Sequence, residues 1–135
     1  MPVRPTQQEC PREVFKAQEQ RDWVKTVLFL KPNPPKNLIV TLKPGPLISV
    51  VQSDFLGGPP PGSLFRGHVY FAEDGRVVIR YTEVELASGE RVPVCFAVVH
   101  SDDRTINPTN IVDRTENSVT LSADQVANSV RVLPD

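Results

Sequence analysis

The chain has 135 residues, 39% of them hydrophobic and 23% charged, which is typical of one globular domain rather than of a disordered segment. Fifteen Lys and Arg against sixteen Asp and Glu give a formal net charge of −1, which argues against nucleic acid as a partner. No apolar run reaches the roughly 20 residues of a membrane helix, and residues 1–10 lack a secretory signal's apolar segment. We expect one domain over residues 1–135, with residues 1–9 extended or disordered and no membrane insertion.

A short helix is predicted after Cys10. Pro11 suits the first helical position, where its missing N–H is not needed, and Glu13 lies near the positive end of the helix dipole. The pattern predicts a helix that ends at about Asp22. Its apolar face around Val14 is thin, so we expect it to lie on the surface of the domain.

Three strands are predicted next, separated by proline-rich loops. β-Branched and aromatic residues favour strands at Trp23–Leu30, Asn37–Lys43 and Leu47–Gln52. Residues 31–36 contain three prolines, which exclude regular structure, and Pro-Gly-Pro at residues 44–46 predicts a sharp corner. The first half of the chain is therefore predicted to form strands joined by stiff loops.

A three-stranded meander is predicted after the glycine- and proline-rich segment 53–62. Its strands are Leu64–Ala72, Arg76–Leu86 and Val92–Val99. Asp-Gly at the centre of the first turn predicts a type I′ turn, in which both central residues have positive φ. The second turn carries Gly89, which accepts a left-handed conformation.

Parity within the second meander strand changes at one place. Val77 and Tyr81 share a face, whereas Val84 has the opposite parity. A β-bulge at residues 81–83 explains this change, and a bulge bends a long strand as a small barrel or a sandwich requires.

The last part of the chain is predicted to add two strands. Residues 100–117 are polar and read as a long loop with one apolar anchor at Ile111–Val112. Strands are predicted at Ser118–Ser122 and Ser129–Leu133, with residues 123–128 as the turn between them. The predicted fold is mainly β, a small antiparallel β-barrel or sandwich of about seven or eight strands with one short N-terminal helix.

Two histidines are the first candidates for chemistry. His68 lies on the first meander strand and His100 follows the third, and together with Asp102 or Asp103 they could bind a metal ion. A metal-dependent hydrolase is therefore one hypothesis. Single histidines on exposed strand faces are more often structural, and the sequence predicts no cofactor and no metal site.

Two glutamates on one strand face are the second candidates. Glu83 and Glu85 could act as an acid–base pair, but surface charges that pair with Arg80 or Arg91 across the hairpin explain them better. The serines lack a G-x-S-x-G context. Since no catalytic constellation stands out, we predict that the protein is not an enzyme.

Cys10 and Cys95 are the only cysteines. They could form a disulfide, or both could be free and serve as small apolar residues. Closing so long a loop would contribute about 4–5 kcal/mol to stability by restricting the unfolded chain. A bridge would also indicate an oxidising compartment.

Several segments resemble the C-terminal region of myxobacterial serine/threonine protein kinases and related stand-alone proteins; they are Glu9–Pro11, Pro61–Tyr70, Gly75–Glu83, Ser88–Cys95 and Asn128–Val132. The resemblance implies a non-catalytic, β-rich accessory domain. The kinase motifs themselves are not found in this sequence.

The same resemblance bears on the cysteines and on the middle of the chain. Both cysteines fall in matched segments, so the resemblance favours a Cys10–Cys95 disulfide in an oxidising space. Residues 23–52 match less well, which leaves their role open.

These features predict an interaction module for a protein, peptide or envelope ligand, with a sensory role in a bacterial signalling system. The alternative is a structural component of an envelope or secretion assembly. We expect an envelope location if the cysteines pair and a cytoplasmic one otherwise. Recognition is expected on loops, since loops commonly carry function, and the candidate residues are Asp54, Phe55, Leu56, Asp102, Asp103 and Arg104.

Overall fold

The computed structural model describes residues 8–14, 23–28, 35–53, 61–103, 105–130 and 132–133. These residues form eleven strands: β1 Gln8–Glu9, β2 Trp23–Val27, β3 Ile39–Leu42, β4 Gly45–Ser53, β5 Leu64–Phe71, β6 Val77–Glu85, β7 Arg91–Val99, β8 Ile111–Arg114, β9 Val119–Ser122, β10 Asp124–Ser129 and β11 Val132–Leu133. Residues 12–14 are helical. The prediction of a mainly β fold is confirmed.

Six of the strands form a closed barrel. Their order is β10-β2-β4-β5-β6-β7, and β7 pairs with β10 to close the ring. Every neighbouring pair is antiparallel. Closure leaves no free edge within these six strands, which removes the usual risk of edge-to-edge aggregation. Of the two predicted alternatives, barrel and sandwich, the barrel is therefore the one that forms.

Aromatic side chains fill the centre of the barrel. Phe65 of β5, Tyr81 of β6 and Phe96 of β7 are all fully buried. The Phe65 ring lies 4.8 Å from the Tyr81 ring and 5.1 Å from the Phe96 ring, measured between centroids. Such contacts add about 0.5–1.5 kcal/mol each to the burial of apolar surface. The meander predicted from the sequence thus supplies the centre of the core.

The predicted bulge lies at Thr82. Arg66 pairs with Glu83 while the next residue, Gly67, pairs with Tyr81, so Thr82 is the extra residue on β6. The ladder between β6 and β7 also shifts register at this point. The bulge allows Tyr81 and Val84 to be buried on the same side of the strand despite their opposite parity.

The first meander turn differs from the predicted type I′ geometry, whereas the left-handed Gly89 predicted in the second turn is present. In the first, the amide of Ala72 donates to the Arg76 carbonyl at 2.9 Å, and the amide of Gly75 donates to the Ala72 carbonyl at 3.1 Å. Gly75 has φ of 93°, but Asp74 does not have positive φ. The turn is therefore a three-residue loop closed by a left-handed glycine. The second turn repeats this geometry with Gly89 at φ of 89°.

The turn predicted at residues 123–128 is wrong, because all but the first of those residues belong to β10. β10 pairs with β2 on one side and with β7 on the other. Ala123 makes the transition from β9: its amide donates to the Leu38 carbonyl at 2.9 Å, and its carbonyl accepts from the Leu28 amide at 2.8 Å. Because polar residues dominate β10, its sequence does not indicate a strand that is paired on both sides.

A second sheet, ordered β3-β9-β8, packs against the barrel. Val119 and Leu121 of β9 are fully buried in the same hydrophobic cluster as the barrel core. The predicted anchor at Ile111–Val112 is wrong, because it lies on β8 with 37% of Ile111 and 64% of Val112 exposed. β8 contacts the barrel through Arg114 instead, which donates to the carbonyl of Gly75.

The predicted disulfide is present. Cys10 and Cys95 are bonded with their Cα atoms 6.0 Å apart. The bridge forms a separate small cluster with Val14 and Val130, away from the barrel interior. β1 pairs with β11 in the same part of the chain. The bridge therefore ties the N-terminal segment to the barrel strand β7.

The remaining N-terminal predictions fall largely outside the described part of the chain. Of the helix predicted as far as Asp22, the structure describes only residues 12–14. No helix within the described ranges is long and apolar enough to cross a membrane.

Candidate functional site

The structure places the predicted loop residues in two ways. Asp54, Phe55, Leu56 and Arg104 lie outside the described residues. Asp102 and Asp103 are exposed in the segment between β7 and β8, which we call the 100–110 loop. Whether these side chains recognise a partner stays a prediction.

Hydrogen bonds within the 100–110 loop fix its shape. The amide of His100 donates to the Thr105 carbonyl at 2.9 Å. Asp103 accepts from the amide of Thr105 at 3.0 Å and from its hydroxyl at 2.7 Å. These two bonds, helped by nearby His100, lower the pKa of the Asp103 carboxyl. Asp103 therefore shapes the loop, whatever else it contacts.

A polar cleft lies where β2 and β10 meet the 100–110 loop and the approach to β3. Its volume is about 480 Å³, within the range of sites that hold small ligands. Nine of its ten lining residues are polar; the ten are Lys25, Asn37, Gln52, Ser101, Thr109, Asn110, Ser122, Asp124, Gln125 and Val126. It is the candidate functional site of this chain.

Gln125 fixes the walls of the cleft. Only 3% of Gln125 is exposed, and each polar atom of its side chain is hydrogen-bonded. Oε1 accepts from the Thr109 amide at 2.8 Å, while Nε2 donates to the carbonyls of Thr109 at 2.9 Å and Ser122 at 2.8 Å. Buried polar groups that are fully satisfied in this way rigidify their surroundings. Gln125 thus joins β10 to the 100–110 loop and to the end of β9.

Hydroxyl groups continue this framework along the wall. The Thr109 hydroxyl accepts from the amide of Ser101 at 3.0 Å. The Ser122 hydroxyl accepts from the amide of Asp124 at 3.3 Å. Each hydroxyl still has a proton to donate, so the wall is rigid and can also offer donors to a ligand.

Two asparagines that line the cleft have left-handed backbones. Asn37 has φ of 61° and Asn110 has φ of 55°, and among the described residues no other non-glycine has positive φ. Asn accepts this conformation more readily than most residues, but it is still uncommon. Uncommon backbone conformations concentrate at functional sites. Their occurrence on both sides of one cleft supports its choice as the site.

Five polar side chains at the cleft have no partner among the described residues. Within the described part of the chain, no hydrogen bond or ion pair engages the side chains of Lys25, Asn37, Gln52, Asn110 and Asp124. One cation and one carboxylate stand among them, so the unpaired groups carry no net charge. The cleft therefore presents donors and acceptors that a ligand can use.

The sequence did not point to this cleft. Its residues come from five separate stretches of the chain, and none of them forms a recognisable motif. Ser101 and Ser122 lack a G-x-S-x-G context, so the sequence assigns them no catalytic role. Asn37 follows a proline-rich loop and Asn110 precedes a strand, which signals a turn at each but not their proximity to one cleft.

The histidine hypothesis lacks the geometry it requires. His68 is exposed on β5, where its ring stacks on Tyr70 with 5.6 Å between centroids. It pairs with Arg80, which pairs with Ala97, so His100 lies two strands away and three residues further along. At strand spacings of about 4.8 Å, that offset exceeds the reach of one metal ion. The described residues contain no group of three or more metal-binding side chains.

Glu83 and Glu85 form ion pairs on the surface of the meander. Arg91 contacts Glu83 at 3.6 Å and Glu85 at 3.2 Å, as one of the predicted pairings requires. Arg66 contacts Glu85 at 3.1 Å. Both carboxylates are therefore used in a charge network across β5, β6 and β7.

A buried hydroxyl pair lies inside the barrel. Ser49 Oγ and the Tyr81 hydroxyl are 2.6 Å apart, and both residues are fully buried. Burial raises the pKa of Tyr81 to about 12, and the Ser49 and Thr26 hydroxyls oppose that rise. The hydroxyl of Thr26 itself makes no hydrogen bond of good geometry. Because water does not reach this pair, its role is structural.

Comparison of the chain with protein-family models, with curated proteins and with solved structures gives no match. The cleft and the chemistry of its side chains are therefore the features of this chain that bear on its function.

Proposed function

We propose that the chain is a non-catalytic binding module that holds a polar ligand in the cleft between β2, β10 and the 100–110 loop. The observation that carries the proposal is the set of five polar side chains that have no partner in the described part of the chain and stand on a hydrogen-bonded wall. Because the wall is already fixed by hydrogen bonds, binding would order only these side chains, which favours affinity.

A sensory role in a bacterial signalling system is the setting we propose for this module. The resemblance to the accessory region of myxobacterial kinases supports that setting. The Cys10–Cys95 disulfide supports an envelope location, because disulfides persist mainly in oxidising compartments.

Thermal unfolding of the full chain tests the binding proposal. The panel contains uncharged disaccharides, free amino acids, neutral blocked peptides and sugar phosphates. A ligand at about 100 times its Kd stabilises the folded state by about 2.7 kcal/mol, so we expect at least one class to raise Tm by several degrees. A panel without any effect would contradict the proposal.

A double variant locates the effect. Asn37→Gly with Asn110→Gly keeps the left-handed backbones and removes both carboxamides, so it should abolish the rise in Tm. His68→Asn is the matched control, because His68 lines a separate depression of about 280 Å³ beside the bulge. A rise that persists in the double variant would place binding outside the cleft.

A structural component of an envelope or secretion assembly is the second candidate. β3 and β8 are the outer strands of the three-stranded sheet, and they carry exposed Ile39, Ile111 and Val112. Unprotected strand edges can pair between copies. Sedimentation at high concentration tests this candidate, and a monomer would contradict it.

A further inference from the structure

We infer that the ligand of the cleft is an uncharged, hydroxyl-rich molecule, a short glycan. This inference rests on the proposed function and specifies its ligand class. It follows from the chemistry of the lining side chains, from their charge and from how firmly they are held.

The cleft has very little apolar lining. Pockets for drug-like ligands are lined mainly by apolar and aromatic side chains with few polar groups. Here Val126 is the one apolar residue of ten. A ligand with an apolar body would gain little, so affinity must come from hydrogen bonds distributed over a polar surface.

The charged side chains of the cleft balance each other. Lys25 on β2 pairs with Val126 on β10, and Asp124 stands two residues before Val126. The cation and the carboxylate therefore lie diagonally across neighbouring strands, and no ion pair joins them. Their charges balance, so the cleft has no net attraction for an anion or for a cation.

The carboxamides of the cleft match the hydrogen-bonding groups of sugar hydroxyls. Asn37, Gln52 and Asn110 each present an acceptor oxygen and two donor hydrogens in one plane. A hydroxyl also both donates and accepts, so adjacent sugar hydroxyls can form paired hydrogen bonds with a carboxamide. The hydroxyls of Thr109 and Ser122 add further donors. Few other ligands present so many groups of this dual kind.

The cleft suits a glycan better than a peptide. Peptides are usually recognised through an exposed strand edge, an apolar groove or a cluster of charges of one sign. The cleft lining is polar and balanced in charge, and its strands β2 and β10 are paired on both sides within the barrel. A peptide main chain would find no free edge on β2 or β10.

The backbone that carries two of the carboxamides is also preorganised. Asn37 and Asn110 project from left-handed backbone positions of fixed geometry. Gln125 bonds to Thr109, the residue before Asn110, and so holds that side of the cleft in place. Binding would therefore require little ordering of the backbone, and the cost of ordering falls on the unpaired side chains alone.

The test uses ¹H–¹⁵N correlation spectra of the full chain, which report the side-chain NH₂ groups of Asn and Gln directly. The probes are cellobiose, maltose and N,N′-diacetylchitobiose, with glucose 6-phosphate, glucosamine and acetyl-Gly-Gly-amide for comparison. We expect at least one uncharged disaccharide to shift the side-chain signals of Asn37 and Asn110 and to saturate. The charged probes and the peptide should leave these signals unchanged.

Variants make the assignment specific. Asn37→Gly and Asn110→Gly should each weaken the disaccharide about tenfold, the loss expected for one or two hydrogen bonds. Asn117→Ala removes an exposed carboxamide from the turn after β8 and should leave affinity unchanged. Unchanged backbone signals elsewhere in the glycine variants show that the fold is intact.

Each remaining outcome is informative. If only a charged probe or the peptide shifts the cleft signals, the glycan class is wrong while the binding function stands. If no disaccharide shifts them although the thermal panel shows a cleft ligand, the glycan class is again overturned. If no probe of any class acts at the cleft in either experiment, both proposals fail.

Discussion

Gly67 lies directly against the backbone of Arg80 and Tyr81 where the bulge distorts the ladder between β5 and β6. A β-carbon at Gly67 would collide with the carbonyl oxygen of Arg80 and lie 2.8 Å from the Tyr81 Cα atom. Backbone atoms of a paired strand cannot move aside as a flexible side chain does. We therefore predict that Gly67→Ala destabilises the fold by about 3 kcal/mol or more in urea unfolding.

The matched control is Gly75→Asn. An added β-carbon at Gly75 meets nothing within 4 Å, and the backbone strain at φ of 93° is its main penalty. We expect a loss of about 1 kcal/mol or less. Equal losses in the two variants would contradict the steric account of the bulge.

The Ser49–Tyr81 hydroxyl pair is predicted to stabilise the barrel interior. Tyr81→Phe leaves the Ser49 hydroxyl buried without its partner, which should cost about 1–3 kcal/mol. Removing both hydroxyls in Ser49→Ala/Tyr81→Phe should be less destabilising than the sum of the single changes. Urea unfolding of all three variants measures the coupling, and strict additivity would show that the two groups do not interact.

Stability should also fall at alkaline pH because of Tyr81. Burial raises its pKa from 10.0 to about 12, so the folded state holds the phenol proton more tightly than the unfolded state. The stabilisation is complete below about pH 10 and is lost as pH rises to about 12. A pKa difference of this size corresponds to about 3 kcal/mol. The stability difference between the wild type and Tyr81→Phe should shrink over this range, and a constant difference would contradict the assignment.

The disulfide is predicted to be a major source of stability. It joins residues 85 positions apart, so it strongly restricts the unfolded chain. Cys10→Ala/Cys95→Ala should lose about 4–5 kcal/mol in urea unfolding. Wild-type protein under reducing conditions should behave like the variant, whereas adding reductant to the variant should have no effect. A loss below about 1 kcal/mol would contradict stabilisation by restriction of the unfolded chain.

We predict that the left-handed backbone at position 110 favours Asn over most other residues, in addition to the role of its side chain in the cleft. Asn110→Ala places a residue with a β-carbon and no local polar group in the left-handed region, at a cost of about 1 kcal/mol. Asn110→Gly should be neutral or slightly stabilising, because Gly adopts φ of 55° without strain. Equal stability of the Ala and Gly variants would contradict this conformation.

The meander was predictable because its signals are local. Turn residues, alternation and the parity change between Tyr81 and Val84 all lie within a short stretch, and the bulge they predicted is present. The turn type was not predictable, because Asp-Gly also suits a three-residue loop in which Gly75 alone is left-handed. The disulfide was predictable only as one of two alternatives, because the distance between Cys10 and Cys95 depends on how the whole barrel closes.

β10 and the cleft were not predictable for a different reason. Gln125 is buried in a strand because it bonds to Thr109, sixteen residues away, and no local pattern reports such a bond. Asn37 and Asn110 line one cleft only because β3 and β8 both pair with β9. Sites assembled by long-range pairing in this way leave only weak turn signals in the sequence.

The position of a bound ligand tests the central claim most directly. The full chain should be crystallised with whichever panel compound gives the largest rise in Tm. The account predicts the ligand between Asn37 and Asn110, hydrogen-bonded to their carboxamides and to neighbouring hydroxyls of the cleft wall. A ligand bound at another surface of the protein, with the cleft open to solvent, would contradict it.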